Sequence, residues 1–337
     1  MCIRDRYRGN LMKTLLIDTD PGVDDALAIM MASAHPDTEI KAITTVAGNV
    51  NLEHTTENAC KLVEILDIDA PIYVGCGDSL LDNPVEDAAG FHGNDGLGDC
   101  IGDADIPPAS IEPANGHAAE AICSYGDKYA GALDLVALGP LTNIAVALML
   151  DPSLPKKYSS LTIMGGAIRA QGNTSNYTAE YNFYRDPEAA RMVLSRWPMV
   201  TIVDWEISLA HPIDANNLSR LFAIDSKRAK FFEKISRKTL ASIESFVVSK
   251  EEGYSVEGSA GERIFYAPDP IAIAVVLESD VITRSEQRYV TVETASGLSR
   301  GQSMVDWMGF SGKTPNANLV TEISTEKFLQ IVERALS

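Results

Sequence analysis

The fold is decided by residues 13–26, which read Lys-Thr-Leu-Leu-Ile-Asp18-Thr-Asp20-Pro-Gly-Val-Asp24-Asp25-Ala. An apolar run ends in a carboxylate, a Pro-Gly pair predicts a turn, and a helix is expected to begin near Val23. Asp24 and Asp25 then lie in the first turn of that helix, where the helix dipole favours negative charge. Helix capping requires neither Asp18 nor Asp20, so this spacing predicts a shared cation. Because the nearby ligands are oxygens, without His or Cys, we expect Ca²⁺ or Mg²⁺.

Short apolar runs alternate with helical patterns along the rest of the chain, which is typical of βαβ units. We expect an α/β fold, with an open, mainly parallel twisted sheet, helices on both faces and a Rossmann-like core. The predicted strands are Lys13–Asp18, Ile40–Val46, Ile72–Val74, Leu133–Ala137, Ser160–Met164 and Val200–Val203, with Arg288–Glu293 and Asn318–Thr321 added at an edge. The predicted helices span roughly residues 23–34, 52–66, 115–127, 141–149, 187–195, 226–248, 269–277 and 325–335.

The composition limits the classes of function. The chain has 337 residues, with 28 basic against 47 acidic residues, a net charge of −19. Such a chain repels phosphate backbones and anionic lipid, so we expect neither a nucleic-acid nor a membrane partner. No apolar run approaches the ~18 residues that a membrane helix needs. Five widely spaced cysteines without a CxxC pair argue against a disulfide framework or a zinc site, and we expect a cytoplasmic protein.

The domain organisation is predicted to be simple. Residues 1–11 are basic, fit no element that follows and lack the apolar region of a secretory signal. We expect them to be a non-native or disordered extension before Met12, and we expect residues 12–337 to form a single domain. Two stretches, 76–112 and roughly 250–267, are predicted to be long loops, which often act as lids.

Polar groups follow several predicted strands at the point where each strand ends. The carboxyl ends of parallel strands meet at one edge of a sheet, where ligands bind. We therefore expect one crevice supplied by residues 18–25, 46–49, 138–143, 164–166 and 204–206. Two further acidic centres, Glu180-Tyr-Asn182 and Asp269, taken alone are also consistent with a solvated loop and a helix N-cap.

The run Asp18-Thr-Asp-Pro-Gly-Val-Asp-Asp-Ala-Leu-Ala resembles the signature of the inosine–uridine-preferring nucleoside hydrolase family. Further matches follow in the family's order across essentially residues 13–335. They are Val46-Ala-Gly-Asn49, His92-Gly-Asn-Asp-Gly-Leu, Gly139-Pro-Leu-Thr-Asn143, Met164-Gly-Gly, Glu180-Tyr-Asn182, Asp186-Pro-Glu-Ala and Asp269-Pro. The resemblance implies an enzyme that hydrolyses ribonucleosides to ribose and free base in purine or pyrimidine salvage. It also implies a homodimer or homotetramer.

The resemblance also implies a role for each matching residue. Asp20 would be the catalytic base that takes a proton from the metal-bound water, and Met164 would lie under the sugar. Acidic groups around the ring would stabilise an oxocarbenium-like transition state. The Ca²⁺ ligands would be Asp20, Asp25, the backbone carbonyl of Thr142 and Asp269. The ribose hydroxyls would be bound by Asp24, Asn49, Glu180 and Asn182, with Asn173, or alternatively Asn176, at the 5′-hydroxyl.

Two departures from the family pattern leave the base preference open. Pro268 stands where the family often has a His that contacts or protonates the leaving base. Asn173 stands seven residues before Glu180, where the family usually has six. The candidates for contact with the leaving group are His92, Trp205, Tyr254, Tyr266 and Glu206.

Two other functions share features with this sequence. A haloacid-dehalogenase-type phosphatase also has Asp-x-Asp after its first strand, but Gly22 stands where it needs Thr or Val, and no catalytic Lys is evident. A non-catalytic, Ca²⁺-dependent nucleoside- or ribose-binding protein is the stronger alternative, because the leaving-group His is missing.

Overall fold

The structure is a computed structural model that describes residues 12–81, 87–104, 106–248 and 263–337. The predicted extension at residues 1–11, most of the predicted loop at 250–267 and Tyr254 lie outside the described residues.

A nine-stranded sheet forms the centre of the molecule, in the order β4-β3-β2-β1-β5-β6-β7-β11-β8. Neighbouring strands are parallel, except that β8 runs antiparallel to β11. A separate antiparallel pair joins β9 to β10. The strands are β1 (Lys13–Thr19), β2 (Thr38–Thr45), β3 (Ile72–Val74), β4 (Ala114–His117), β5 (Leu133–Ala137), β6 (Ser160–Met164), β7 (Val200–Val203), β8 (Ile282–Arg288), β9 (Val290–Val292), β10 (Ser303–Val305) and β11 (Ala317–Ile323).

Helices cover both faces of this sheet, which confirms the predicted α/β class. The helices are α1 (Val23–Ala34), α2 (Leu52–Leu66), α3 (Ala89–His92), α4 (Ala118–Lys128), α5 (Thr142–Leu150), α6 (Tyr181–Arg185), α7 (Pro187–Arg196), α8 (Trp205–Ala210), α9 (Ala215–Phe222), α10 (Lys227–Val248), α11 (Pro268–Leu277) and α12 (Thr325–Leu336). Among the described residues, no helix is both long enough and apolar enough to cross a membrane.

The two faces of the sheet carry separate apolar cores. Leu15 and Ile17 point into the core that α1, α2, α11 and α12 build, whereas Leu16 points into the core beneath α4, α5 and α7. Helix α1 packs against both α11 and α12, so every residue from Val23 to Ala32 is buried. A helix covered on all sides must be apolar all round, and charged groups in its first turn are therefore unusual.

The prediction of two strands at the edge of the sheet was wrong in position. Asn318–Thr321 lies within β11, which is paired on both sides by β7 and β8, so it is not at the edge. Residues Arg288–Glu293 are divided between the end of β8 and β9, and β9 belongs to the separate pair. The edge strand β8 was missed because its sequence, Ile-Thr-Arg-Ser-Glu-Gln-Arg, is mostly polar, as exposed edges often are.

The order of the strands places a crevice at the ends of β1 and β5. From β1 the chain adds β2, β3 and β4 on one side, and it then returns to place β5 on the other side of β1. Ligands bind at such a reversal, outside the carboxyl ends of the strands. The segment around Asp20 follows β1, and Thr142 begins the helix after β5, so both lie at this point.

Candidate active site

Three carboxylates meet where helices α1 and α11 begin. Asp24 and Asp25 lie in the first turn of α1, and Asp269 lies in the first turn of α11. One oxygen from each lies within 4.8 Å of the others, and all three residues are buried. The chain brings them together because α1 and α11 pack against each other with their N-termini at the same edge of the sheet.

Burial makes this acidic cluster costly unless something binds to it. Burial raises the pKa of Asp24 to about 6, and burial together with the charge of Asp24 raises the pKa of Asp25 to about 6. Burial and the charges of Asp25, Asp24 and Asp20 raise the pKa of Asp269 well above its usual range. Among the described residues, Oδ1 of Asp24 and Oδ1 of Asp269 have no hydrogen-bond partner. A hard divalent cation fits this set of oxygen donors.

Asp20 lies beside these three carboxylates and is held by backbone. Its Oδ2 accepts a hydrogen bond of 2.7 Å from the backbone N–H of Asn49. A Cβ on Gly48 would lie 2.0 Å from that oxygen, and a Cβ on Gly139 would lie 2.5 Å from Oδ1. Only glycine therefore allows the loops after β2 and β5 to close around the carboxylate. Burial, and then the charge of Asp25, raises its pKa well above the usual range.

The Asn49 side chain joins Asp20 to Asp25. Its Nδ2 donates to the backbone oxygen of Asp20 and to Oδ2 of Asp25, both at 3.1 Å. Asp25 also accepts hydrogen bonds from the Gly22 backbone N–H and the Thr19 hydroxyl. The predicted ribose ligand Asn49 therefore lies within the acidic site.

The side-chain hydroxyl of Thr142 is held by a hydrogen bond. The backbone carbonyl of the same residue is the predicted metal ligand. The hydroxyl donates to Oδ2 of Asp186 at 2.7 Å, and this oxygen also accepts from the Leu80 backbone N–H. The other oxygen of Asp186 caps helix α7 by accepting from Ala189. One buried carboxylate thus connects the start of α5, the start of α7 and the loop after β3.

The next residue, Asn143, is held by hydrogen bonds to strands β1 and β2. Its Nδ2 donates to Oδ1 of Asp18 at 2.8 Å and to the backbone oxygen of Thr45 at 2.9 Å. Asp18 is fully buried and also accepts from the Thr44 hydroxyl at 2.6 Å. The first Asp of the signature therefore supports the site from within the sheet.

The predicted ribose ligands Glu180 and Asn182 flank the start of helix α6. Glu180 caps this helix, and its carboxylate also accepts a 2.8 Å hydrogen bond from the Gly166 backbone N–H. Burial raises the pKa of Glu180 to about 7. Asn182 donates to the backbone oxygens of Leu138 and Met164, at 2.6 and 3.2 Å. Both side chains, together with Met164, thus lie at the carboxyl ends of β5 and β6.

The two candidates for the 5′-hydroxyl have different surroundings. Asn176 is buried, its Oδ1 accepts from the backbone N–H groups of Thr178 and Ala179, and its Nδ2 donates to the backbone oxygen of Arg300. Asn176 therefore stabilises its own loop. Asn173 is exposed and remains the better candidate for a substrate contact.

With this geometry established, sequence and structure comparisons define the family. The model of the inosine-uridine preferring nucleoside hydrolase family matches residues 15–330. The chain belongs to this family. As a nucleoside hydrolase it acts on small-molecule nucleosides, and its acidic cluster accords with the metal dependence of the family.

Named relatives of this nucleoside hydrolase cover nearly its whole length. Uridine nucleosidase 1 of Arabidopsis thaliana is 33% identical over 309 residues, which is 88% of this chain and 86% of that protein. The pyrimidine-specific ribonucleoside hydrolase RihB of Escherichia coli O1:K1 / APEC is 29% identical over 326 residues, covering 96% of this chain and 97% of that protein. The solved structure of an inosine-guanosine nucleoside hydrolase has a TM-score of 0.83 and 32% identity, covering 97% of this chain and 99% of that chain.

Two of this hydrolase's candidate leaving-group residues contact each other. The rings of Trp205 and Tyr266 meet edge to face, with centroids 5.6 Å apart. Trp205 begins the helix after β7, and Tyr266 stands two residues before Pro268 at the start of α11. An aromatic pair therefore lies near the site, beside the position where the family's His is absent.

His92 and Glu206 have other surroundings. His92 lies over the start of α1, where its Nδ1 accepts a 3.2 Å hydrogen bond from the Val23 backbone N–H and lies 3.8 Å from Oδ1 of Asp24. Burial lowers the pKa of His92 to about 4, so the ring is neutral near pH 7 and carries its proton on Nε2. The carboxylate of Glu206 accepts hydrogen bonds from the backbone N–H groups of Arg169 and Gln171, and it thus holds the loop after β6.

Some residues stabilise the site through hydrogen bonds to its loops, and the sequence did not predict them. Asp186 and Tyr181 lie within matching motifs, but those motifs indicate no contact for either side chain. The Tyr181 hydroxyl donates to the backbone oxygen of Gly48 at 2.7 Å, across 133 positions of the chain. No local pattern reports a partner so distant, so only the tertiary structure identifies these supports.

Proposed function

We propose that the chain hydrolyses the N-glycosidic bond of ribonucleosides, giving ribose and free base, with Ca²⁺ bound at the acidic cluster. The observation that best supports this proposal is that one buried oxygen of Asp24 and one of Asp269 have no hydrogen-bond partner within the described part of the chain. An unpaired buried carboxylate oxygen is unfavourable, and a cation or a sugar hydroxyl would relieve it.

The ion would be held by Asp20, Asp25, the backbone carbonyl of Thr142 and Asp269. When bound, Ca²⁺ would neutralise these carboxylates, lower the pKa of an attacking water and help to orient the ribose hydroxyls. Carboxylates gathered after β1 and in the first turns of α1 and α11 are suited to a hard cation, because oxygen donors are the ligands that such ions prefer.

Asp20 is the group we propose as the catalytic base. The carboxylate accepts the proton of the attacking water, and the Asn49 backbone N–H holds its Oδ2 in a fixed orientation. A base held in this way loses little entropy at the moment of proton transfer. The surrounding glycines, Gly48 and Gly139, keep other side chains away from it.

The sugar would be bound by Asp24, Asn49, Glu180 and Asn182, with Met164 beneath the ring and Asn173 at the 5′-hydroxyl. Carboxylates near the ring stabilise positive charge that develops at the anomeric carbon as the bond to the base breaks. Both oxygens of Glu180 accept backbone N–H groups, which hold the carboxylate in place, and a ribose hydroxyl would donate a further hydrogen bond to it.

The base would lie against the Trp205–Tyr266 pair. An aromatic pair binds a flat heterocycle by stacking and edge contacts, and Tyr266 also offers a hydroxyl. His92, neutral with a proton on Nε2, is the other candidate donor, and Tyr254 lies outside the described residues. The names of the relatives include uridine, pyrimidine and inosine-guanosine hydrolases, so the base preference is best determined by assay.

The deciding experiment measures initial rates on inosine, adenosine, guanosine, uridine and cytidine, with Ca²⁺ and with a chelator. We expect ribose release from at least one nucleoside, its loss with chelator and its return when Ca²⁺ is restored. Ca²⁺-dependent nucleoside binding without any ribose release would instead favour the non-catalytic binding protein.

An Asp20→Ala variant tests the role of the base. It should lose both Ca²⁺ affinity and turnover, because one carboxylate is proposed to serve both purposes. A variant that keeps a near-normal kcat would contradict the assignment of Asp20.

A further inference from the structure

Tyr181 contacts the loop that surrounds Asp20. It is the first residue of α6, between the proposed ribose ligands Glu180 and Asn182. Its hydroxyl donates a hydrogen bond of 2.7 Å to the backbone oxygen of Gly48, in the loop after β2. The tyrosine therefore ties α6 to the loop after β2.

The bonded oxygen belongs to the peptide unit that also binds Asp20. The carbonyl of Gly48 and the N–H of Asn49 are the two ends of one planar peptide. The carbonyl accepts from Tyr181, and the N–H donates to Oδ2 of Asp20 at 2.7 Å. Because the peptide is rigid, any rotation that breaks the first hydrogen bond also turns the second away from the carboxylate.

We propose that Tyr181 is a positioning residue for the reaction, which acts on Asp20 through the Gly48–Asn49 peptide. Its hydroxyl fixes the orientation of this peptide and polarises it, so that the Asn49 N–H points at Oδ2 of Asp20 and binds it more strongly. The inference rests on the proposed role of Asp20 as the base. Tyr181 needs no contact with substrate for this effect.

Close packing makes the orientation of the peptide critical. A Cβ on Gly48 would lie 2.0 Å from Oδ2 of Asp20, so the loop backbone is in direct contact with the carboxylate. A small rotation of the peptide would therefore displace Asp20 itself. The effect is expected in kcat, because a displaced base transfers the proton less well, whereas the Asn49 side chain keeps its own hydrogen bonds to the Asp20 backbone oxygen and to Asp25.

A second tyrosine provides a matched control. The Tyr158 hydroxyl also donates to a backbone oxygen at 2.7 Å, that of Ile122 in α4. Tyr158 is buried and stands just before β6, at the end of the sheet opposite the crevice. The substitutions Tyr158→Phe and Tyr181→Phe thus remove the same kind of hydrogen bond, one far from the site and one beside Asp20.

The experiment compares wild type, Tyr181→Phe and Tyr158→Phe on the best nucleoside of the panel, with Ca²⁺ present. Tm, kcat and KM are measured for each protein. Each variant should lose roughly 2 °C in Tm, as expected for one lost hydrogen bond in a chain of this size. Only Tyr181→Phe should lose about 10-fold in kcat, with KM unchanged, since a positioning hydrogen bond of this kind is worth roughly this factor.

A double substitution provides a second measurement. If Tyr181 acts through Asp20, adding Tyr181→Phe to Asp20→Asn should not reduce the residual rate further. A further 10-fold loss in that background would overturn the inference, as would a single variant with the kcat of Tyr158→Phe. Those results leave the proposed hydrolysis intact. A wild-type protein that releases no ribose from any nucleoside would remove both the proposed function and this inference.

Discussion

Two groups of buried acids lie at the carboxyl edge of the same sheet, and they differ in what their oxygens contact. The acidic cluster follows β1 and begins α11, whereas Asp204 and Glu206 follow β7. Burial raises the pKa of the three carboxylates of the cluster, and burial together with the charge of Glu206 raises the pKa of Asp204 to about 8. Asp204 accepts hydrogen bonds from the backbone N–H groups of Ile168 and Ile207. Glu206 accepts hydrogen bonds from two further backbone N–H groups, in the loop after β6.

The comparison shows that burial and a raised pKa do not by themselves identify a ligand site. In the second group the carboxylates serve as acceptors that shape a loop. In the cluster, Oδ1 of Asp24 and Oδ1 of Asp269 have no partner among the described residues. The two groups therefore differ in the partners of their oxygens, and this difference, not burial, favours the cluster as the ligand site.

The largest expected difference between the two groups concerns the metal. Asp269→Asn should reduce Ca²⁺ affinity and kcat/KM by roughly 100- to 1,000-fold, because it removes one charged ligand from the site. Calorimetric titration and initial rates check this result. Asp204→Asn is the matched control and should bind Ca²⁺ like wild type. Equal losses in the two variants would show that the distinction between the groups is wrong.

A second test concerns the hydroxyls that the cluster is proposed to bind. Inosine and 2′-deoxyinosine should differ by at least about 100-fold in kcat/KM, because the deoxy sugar leaves buried carboxylate and amide groups unpaired. Parallel assays of ribose and deoxyribose release measure the ratio. Comparable rates on the two substrates would mean that these groups do not bind the 2′-hydroxyl.

A third test concerns the support of Thr142. Thr142→Val keeps the backbone carbonyl but removes the hydroxyl that bonds to Asp186. We expect Ca²⁺ affinity to fall roughly 10-fold, as is usual when a group that orients a ligand is lost. Thr55→Val is the control, since it removes a buried hydroxyl that bonds to the Leu52 carbonyl in α2. If both variants bind Ca²⁺ equally well, Asp186 does not position Thr142.

The smallest expected effect is the pH dependence that Asp204 gives to stability. Its folded pKa of about 8 lies above the usual value of about 4, so between these limits the folded protein retains a proton that the unfolded chain has released. This contribution to stability is therefore lost as pH rises through that window. Glu206→Gln removes a charge that raises this pKa, while its Oε1 can keep the N–H bonds of Arg169 and Gln171.

Urea unfolding at several pH values, in saturating Ca²⁺ to neutralise the acidic cluster, measures this effect. The free energy of unfolding should fall less steeply with pH in Glu206→Gln than in wild type. The same slope in the two proteins would mean that the two carboxylates do not interact.

The sequence by itself determined the class of fold and most of the proposed site. Short apolar strands and helical periodicity specified the parallel sheet, and the spacing of Asp20, Asp24 and Asp25 after β1 specified an acidic cluster at its edge. These features are local, since a strand, a turn and the first turn of a helix are encoded within a few residues. The polar edge strand β8 and the short helix α6 lack such a pattern, and the sequence missed both.

Only the tertiary structure decided which oxygens are left without partners and which groups hold the others. Asp269 joins Asp24 across 245 positions because α1 packs on α11, and Tyr181 reaches Gly48 across 133. Such contacts depend on the order of the strands and on how the helices pack. Local sequence patterns carry the periodicity of each element, but they do not record which side chains the assembled elements bring within hydrogen-bonding distance.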